Sequence, residues 1–395
     1  MEEVVIVSAC RTPFGAFGGT LKDFTHPELA GIVITEALRR ADVRPDEVDE
    51  VALGVNLPGS DRSIARQAML KAGIPEEKVA YTVDRACCSA LTAIDMASKS
   101  IRLGEARIAV AGGAENMSRV PYFFHEARWG KRLGDITLKD QLVISCPYTG
   151  VPRAVQAGQE ALEFGIGREE QDRWALRSQQ MYAKAKAEGK FQDEIVPVQV
   201  PQPKGEPILF AEDEQPRPDT TLEKLAKLPT VYGSPTVTAG NAPGLNTGAT
   251  AVVLMSRRVA EERGTKPLAT IISYAMVSGH PQRIASIPAV AAKLALQKIG
   301  MTIDDMDLIE VNEAFAAVPL VTTKVLAEGN EERLERIRSR TNVNGGAIAV
   351  GHPTGATGAR LVMTLVYELR RRGGGFGLVT ICGGIGEAES VIVKV

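Results

Sequence analysis

Residues 37–54, ALRRADVRPDEVDEVALG, lie over residues 295–312, ALQKIGMTIDDMDLIEVN, without a gap. In each, the tail of an amphipathic helix gives way to an acidic turn and then to a short apolar segment, VDEVALG or MDLIEVN, that reads as a buried strand. The correspondence extends outward. Upstream, EVVIVSACR (3–11) matches LATIISYAM (268–276) as an opening strand. Downstream, the helix SALTAIDMASKSIRLG and the strand ARIAVAGG (106–113) are answered by the helix GHPTGATGARLVMTLVYELRRRG and the strand GLVTICGG (377–384). A duplicated α/β unit accounts for this order. Two similar sheets with helices between them would form a layered pseudo-dimer whose equivalent strand ends face each other.

Composition agrees with an α/β enzyme. The chain has 395 residues, enough for more than one core. Its 38 glycines and low aromatic content suit many tight strand-to-helix turns. A net charge of −2 with both signs interspersed lacks the basic footprint that nucleic acid requires. No apolar run approaches a membrane span, and MEEVVIVSAC enters a strand with no leader-like pattern, so a soluble cytoplasmic protein is expected. Five cysteines at 10, 87, 88, 146 and 382 show no CxxC pairing and are expected as free thiols. The four histidines form no HExxH-like cluster, so no metal site is expected.

Residues 120 to about 245 differ in texture: aromatic and charged loops (PYFFHEARWGKRLGD), one strong helix (REEQDRWALRSQQMYAKAKAEG) and a Pro-rich extended stretch from VPVQVPQPKGEPILF to EDEQPRPDTT. This reads as an inserted lid, with a plain surface excursion as the alternative. Four punctuated segments fall at equivalent ends of the repeat: DRACCSALTAIDMA with Cys87 and Cys88, VNEAFAA, NVNGGAIAVGHPTGATGAR with His352, and TICGGIGEA with Cys382. Cys87 is expected to lead a helix, whose free amides and dipole would lower its thiol pKa below the unperturbed ~8.5. His352, between glycine and proline, can reach a cleft. Cys382 ends an apolar strand before a glycine turn whose amides could meet an oxyanion. Alone, each of these residues would be read as core or solvated loop. Cys10 and Cys146 stay with the buried-hydrophobe reading.

The chain resembles the thiolases nearly end to end. The resemblance is carried by VVIVSACRTPFGAFGGTLKD, ARQAMLKAGIP, AGGAENMS, REEQDRWALRSQ, TVTAGNAPGLNTGATAVVLMS, NEAFAA, NVNGGAIAVGHPTGATGAR and the closing CGG. It implies a five-layered, duplicated α/β core with an inserted loop domain. The N-terminal half would comprise 1–119 and 246–267, the insert 120–245 and the C-terminal half 268–395. It also implies roles. Cys87 would be the nucleophile that carries the acyl group, His352 its base and an oxyanion donor, and Cys382 the acid/base for the α-carbon. Asn312 would hold a water beside His352, and the amides of Cys87 and Gly384 would form a second oxyanion site. Ala239, Pro243, Ala314 and Phe315 would contact substrate. CoA and acyl-CoA would be substrates, with no cofactor and no metal, and a homodimer or homotetramer is implied.

The sequence departs from the family pattern at several points. Cys88 stands where a small residue is usual and Ala90 where a glycine is usual, so Cys88 is expected to fill space. Pro243 replaces a serine that holds pantetheine in relatives. TGVPRAVQAGQEA (149–161) stands in place of the family's Met-Gly-x-Thr-Ala-Glu segment, and the glycine loop after Cys382 is short. The implied activity is reversible thiolysis of a 3-oxoacyl-CoA, or the reverse condensation, with acetoacetyl-CoA the first substrate expected. Longer, branched or aromatic 3-oxoacyl-CoAs are the alternative, and a catalytically weak scaffold subunit is the alternative of another class. A ketoacyl synthase would need a second catalytic histidine, and beyond His352 the later half has only His280, in VSGHPQR.

Overall fold

The computed structural model describes residues 2–142 and 145–395. The first half contributes β1 (Val4–Arg11), α1 (His26–Arg40), β2 (Glu50–Gly54), α2 (Ile64–Lys71), β3 (Val79–Val83), α3 (Ser89–Leu103) and β4 (Ile108–Asn116). A long excursion containing α4 (Arg153–Glu163) and α5 (Arg168–Ala187) leads back to β5 (Asn246–Ser256). The second half runs β6 (Ala269–Ser278), α6 (Ile287–Gln297), β7 (Leu308–Val311), α7 (Ala317–Ala327), α8 (Thr354–Arg371), β8 (Phe376–Cys382) and β9 (Glu387–Lys394).

The repeat read from the sequence is present residue for residue. The shift that carries Pro45–Glu47 onto Ile303–Asp305 superimposes two single-turn 3-10 helices, and the same shift carries Glu50 onto Leu308, the first residues of β2 and β7. Each acidic turn closes the same way. Glu47 accepts from the Arg44 amide at 2.8 Å and Asp305 from the Thr302 amide at 2.7 Å, satisfying donors that the short helix leaves free.

The strands follow the order β7-β8-β9-β6-β1-β5-β4-β2-β3, which reads symmetrically about the β6–β1 junction. Strand β2 is parallel to β3 and β4, and β7 is parallel to β8, while β1, β5, β6 and β9 pair antiparallel. The second-half counterpart of β3 is reduced to a single bridge between Ile309 and Thr341. Two separate sheets were expected from the repeat. The structure joins them instead through three pairs, Val4–Ile6 against Ala269–Ile271, so one hydrogen-bonded sheet runs through both halves: these nine strands and the two-residue Gly15–Ala16 paired with β5.

Three apolar clusters define five layers. Val5 and Val7 of β1 face out toward α1 and α2, with Leu29, Val33, Ile34, Ala65 and Met69. Val4 and Ile6, on the opposite face of the same strand, pack with Leu91 and Ile94 of α3, Val362 and Leu365 of α8, and Ile381 of β8. The outer face of the second half packs on α6 and α7 through Ala291, Ala292, Ala295, Val318 and Val321. Helices α3 and α8 are therefore covered on both sides, and their apolar, small-residue composition suits that. Gly113 of β4 is where α8 comes closest: a Cβ there would stand 1.9 Å from the Gly355 carbonyl oxygen. A side chain at 113 would push the start of α8 away from the sheet.

The excursion between β4 and β5 leaves and re-enters neighbouring strands, which stay paired from Asn116–Thr247 to Ile108–Met255. Its strong helix is α5, and the Pro-rich stretch forms a short hairpin, Val198–Val200 with Ile208–Phe210. Arg11, fully buried at the end of β1, ties it down. The guanidinium binds Glu194 at 2.9 Å and grips Asp213 with two nitrogens at 2.7 and 3.0 Å, and the Tyr182 hydroxyl donates to the same Asp213 at 2.9 Å. All of these charges are paired inside the protein, so removing one member would strand the others.

Candidate active site

Two turns, one from each half, are clasped by the opposite half. The first joins β3 to α3. Ala86 there takes φ +49°, in the left-handed region, and turns the chain so that Cys87 precedes the helix. Helix α3 begins at Ser89, where the segment SALTAIDMASKSIRLG placed it, with Cys88 as its cap. Arg85 reaches over to β9, donating to Glu387 at 2.7 Å and pairing with Glu389. Thr92 and Tyr274 also bond Glu389, whose carboxyl burial raises to about 7. Cys88 is buried and points its thiol at the Ile381 carbonyl of β8, 3.6 Å away. Burial, with Glu389 close by, raises its pKa well above the ordinary value, so it fills space, as expected, rather than ionising.

The second turn precedes α8 and carries His352. Its backbone amide donates to Asn246 Oδ1 at 2.8 Å, which fixes it to the start of β5 in the other half. Gly351 has φ +108°, and a Cβ would lie 2.8 Å from the Asn246 side chain, so only glycine allows this approach. Thr357, five residues on, donates its single hydroxyl proton to the Pro353 carbonyl at 2.9 Å. Its oxygen, 2.8 Å from His352 Nδ1, must then accept, which places the imidazole proton on Nδ1 and leaves Nε2 as a free base. That nitrogen faces Cys87 Sγ at 3.2 Å.

Asn312 follows β7 and is fully buried. Its Nδ2 lies 3.4 Å from His352 Nε2, and its Oδ1 has no partner among the described residues. The adjacent Glu313 holds this turn against the histidine loop. Its carboxylate accepts from Trp174 at 2.9 Å, Ser178 at 2.7 Å, Asn342 at 3.0 Å and the Ile348 amide at 3.1 Å. Cys382 ends β8 one residue beyond the Ile381 carbonyl that Cys88 touches, near enough to Cys87 that ionisation of either thiol opposes that of the other. Gly384 follows, with an amide that donates to no other described residue; the Cys87 amide is likewise free.

The structure thus brings together Cys87, His352 and Asn312 directly, and the strand end that carries Cys382 and Gly384 meets the same turn through the contact of Cys88 with Ile381. The expected substrate contacts are looser. The Ala316 amide donates to the Asn241 carbonyl at 2.9 Å, which joins the turn carrying Ala239 and Pro243 to the one carrying Ala314 and Phe315. Ala239 is exposed and the other three are half-buried.

One expectation needs correcting. Cys87 is not a thiolate primed by a helix end. Burial, and then the neighbouring Cys382, push its thiol up despite Arg153 nearby. Cys382 is pushed up to about 12, mainly by burial, and burial followed by Arg360 holds His352 down at about 3. At rest the site is a neutral thiol hydrogen-bonded to a neutral imidazole. Sequence reading also missed Thr357 and Asn246, which set the imidazole's tautomer and place. Thr357 lies in the same HPTGATG segment, one turn into the helix, the one signal that could have exposed it. Among the described residues no cluster of three or more His, Cys, Asp or Glu could hold a metal ion, and no helix is long and apolar enough to cross a membrane.

Comparison with known proteins gives a consistent result. Residues 4–258 match the family model described as the thiolase N-terminal domain and residues 265–395 the thiolase C-terminal domain. An acetyl-CoA acetyltransferase of Syntrophomonas wolfei is 44% identical, the alignment covering 100% of this chain and 99% of that protein. The human mitochondrial 3-ketoacyl-CoA thiolase is 42% identical over 100% of this chain and 98% of its own length. Among solved structures, the Bacillus anthracis acetyl-CoA acetyltransferase superposes with a TM-score of 0.95 at 40% identity, covering 100% and 99% of the two chains. The human mitochondrial 3-ketoacyl-CoA thiolase in complex with CoA superposes at 0.92 with 41% identity, covering 100% and 98%.

Proposed function

Because the chain belongs to the thiolase family and is an acyltransferase of that kind, we propose that it cleaves 3-oxoacyl-CoA with CoA, and runs the reverse condensation, through an acyl group carried on Cys87. The observation that carries this reading is the 3.2 Å contact between Cys87 Sγ and an imidazole nitrogen whose lone pair Thr357 leaves free. In the thiolysis direction, Cys87 sulfur attacks C3 of the substrate as its proton passes to His352 Nε2. The C2–C3 bond then breaks, its electron pair going to C2. Cys382 gives C2 its proton, acetyl-CoA leaves, and Cys382 remains as a thiolate. That thiolate takes the proton of incoming CoA, whose sulfur attacks the Cys87 thioester, and His352 returns the proton to Cys87 as it departs.

Two oxyanions form along this path, and the thiol acid is a match for the α-carbon only if the enolate oxygen meets fixed donors. The free amides of Cys87 and Gly384 suit one oxyanion. His352, and a water on the unpartnered Asn312 Oδ1, suit the other. Burial of His352 and Asn312 strengthens the second of these. Pro243, Ala239, Ala314 and Phe315 would border the pantetheine arm by shape, since proline supplies no donor. CoA serves as substrate, residues 120–245 as the lid over it, and the cytoplasm as the compartment; dimer or tetramer assembly is expected by family likeness. Acetoacetyl-CoA is the reference substrate. Initial rates with acetoacetyl-CoA and CoA both varied should give parallel double-reciprocal lines, the mark of a covalent intermediate between two half-reactions. Intersecting lines would contradict it.

A further inference from the structure

Helix α4 begins in the segment that departs from the family pattern, and its first residue, Arg153, leans into the site. A Cβ added at Gly384 would stand 3.3 Å from Arg153 Nε and 3.4 Å from Cζ, so the guanidinium lies against the glycine turn that follows Cys382. Its charge reaches both sulfurs, favouring the thiolate of Cys87 and of Cys382. Yet no carboxylate among the described residues pairs with it. Its hydrogen bond is to Gln156 Oε1, at 3.3 Å and one turn along the same helix face. Gln156 is only 2% exposed, and its Nε2 has no partner among the described residues.

The nearest acid on that face is already saturated. Glu160, a further turn along, accepts from the amides of Ile284, Ala285 and Ser286 at 2.9, 2.8 and 3.0 Å, at the start of α6. A planar cation and a buried amide donor thus stand side by side, both with N–H groups to spare, the cation against the glycine turn after Cys382 and near enough to Cys87 to act on its thiol. Leaving such donors unmatched is costly, and the guanidinium fork fits a carboxylate. The phosphates of CoA are separated from the reacting sulfur by the whole pantetheine arm, so they do not reach this point when the thioester is in place. What does reach it is the far end of a short acyl chain on Cys87.

We propose that Arg153 and Gln156 form a carboxylate-binding end of the acyl pocket, so that the preferred substrate is a 3-oxoacyl-CoA whose chain ends in a carboxylate. This rests on the thiolase reading above and names its substrate class. The test compares thiolysis of 3-oxohexanedioyl-CoA with that of 3-oxohexanoyl-CoA, which differ only in the terminal group. The wild type should favour the dioyl substrate in kcat/KM by roughly 10- to 100-fold, the range that a hydrogen bond to a charged group gives. Arg153→Met should collapse that ratio toward unity, and Arg153→Lys should retain part of it, as charge without the fork. Gln156→Leu should lower it less.

An even wild-type ratio, or an Arg153→Met variant that loses the same factor on both substrates, overturns the proposal; the second result would mean a charge acting on the thiols instead. If Arg153→Met fails to fold, the wild-type ratio and Gln156→Leu decide. Activity on acetoacetyl-CoA without preference for the dioyl substrate sinks the carboxylate pocket and leaves the thiolase reading intact. Absence of any acyl adduct on Cys87 from all three substrates sinks both.

Discussion

The two halves repeat the same framework and use neighbouring positions at the same strand end in opposite ways. The pairing of β2 with β4 and of β7 with β8 sets Ala114 against Cys382 and Glu115 against Gly383, so β4 carries a carboxylate one residue beyond the position where β8 carries a thiol. Glu115 is saturated. It accepts from the amides of Asn56, Leu57 and Gly355 at 3.2, 3.0 and 2.9 Å and from the Thr354 hydroxyl, stitching the first half to the helix that follows His352. Beyond Cys382 the chain runs into a turn whose Gly384 amide donates to no other described residue. The turns before the inner helices diverge likewise: the first-half turn presents a sulfur and the second-half turn an imidazole, and each is anchored to the opposite half. Duplication supplied two equivalent sockets. One became a fastening and the other a place for chemistry, and the difference lies in which polar groups were left unmatched.

That contrast can be broken by substitution. Cys382→Ser should have the largest effect, lowering condensation and thiolysis by about 10²- to 10⁴-fold, the usual range for a general acid/base, while Cys87 still accepts an acetyl group from acetyl-CoA. Initial rates beside an acylation assay would check this. Retained condensation would remove Cys382 from the α-carbon step. Glu115→Gln should do the reverse. It should cost about 2–3 kcal/mol of stability through weakened charge-assisted hydrogen bonds, seen as a lower denaturant midpoint, while folded enzyme still acylates. If instead it stayed stable and lost acylation, the two sockets would not be divided as described.

Thr357→Val should leave the fold in place and lower kcat/KM roughly tenfold, because Nδ1 would no longer fix the tautomer that frees Nε2. A smaller and more diffuse effect is expected from pH. His352 is held at about 3 in the folded state, whereas an unfolded histidine titrates near ~6.5. Between those values the unfolded chain binds a proton that His352 does not, so stability is complete above the upper value and falls as pH drops through the window. His352→Asn should flatten that part of the stability profile between pH 7 and pH 4. An unchanged slope would mean that the imidazole is not held neutral.

Much of this was legible in the sequence, for definite reasons. The gapless match of 37–54 with 295–312 gave the duplication because strand, acidic turn and helix each leave a periodic trace, and the Pro45 and Ile303 turns fell where that match placed them. Cys87, His352 and Cys382 stood out as chemically capable side chains at punctuated strand and helix ends. The joining of the sheets through Val4–Ile6 left no trace, since one more ladder on an already apolar strand does not alter its pattern. The protonation of Cys87 was misread because a helix end is local and burial is not: the desolvation that raises its thiol comes from elements distant in the chain. Arg153 was hidden for a related reason. A single arginine at a helix start is ordinary until Gly384 is packed against it.

The central claim is that Cys87 carries the acyl group. It is tested most directly by mixing the Cys382→Ser protein with acetyl-CoA, quenching, and sequencing the peptide spanning 84–97 by fragmentation mass spectrometry. The account predicts one acetyl group on the sulfur at position 87, persisting when Cys88 is replaced by alanine. An unmodified Cys87, or acetylation that follows Cys88 instead, would contradict it.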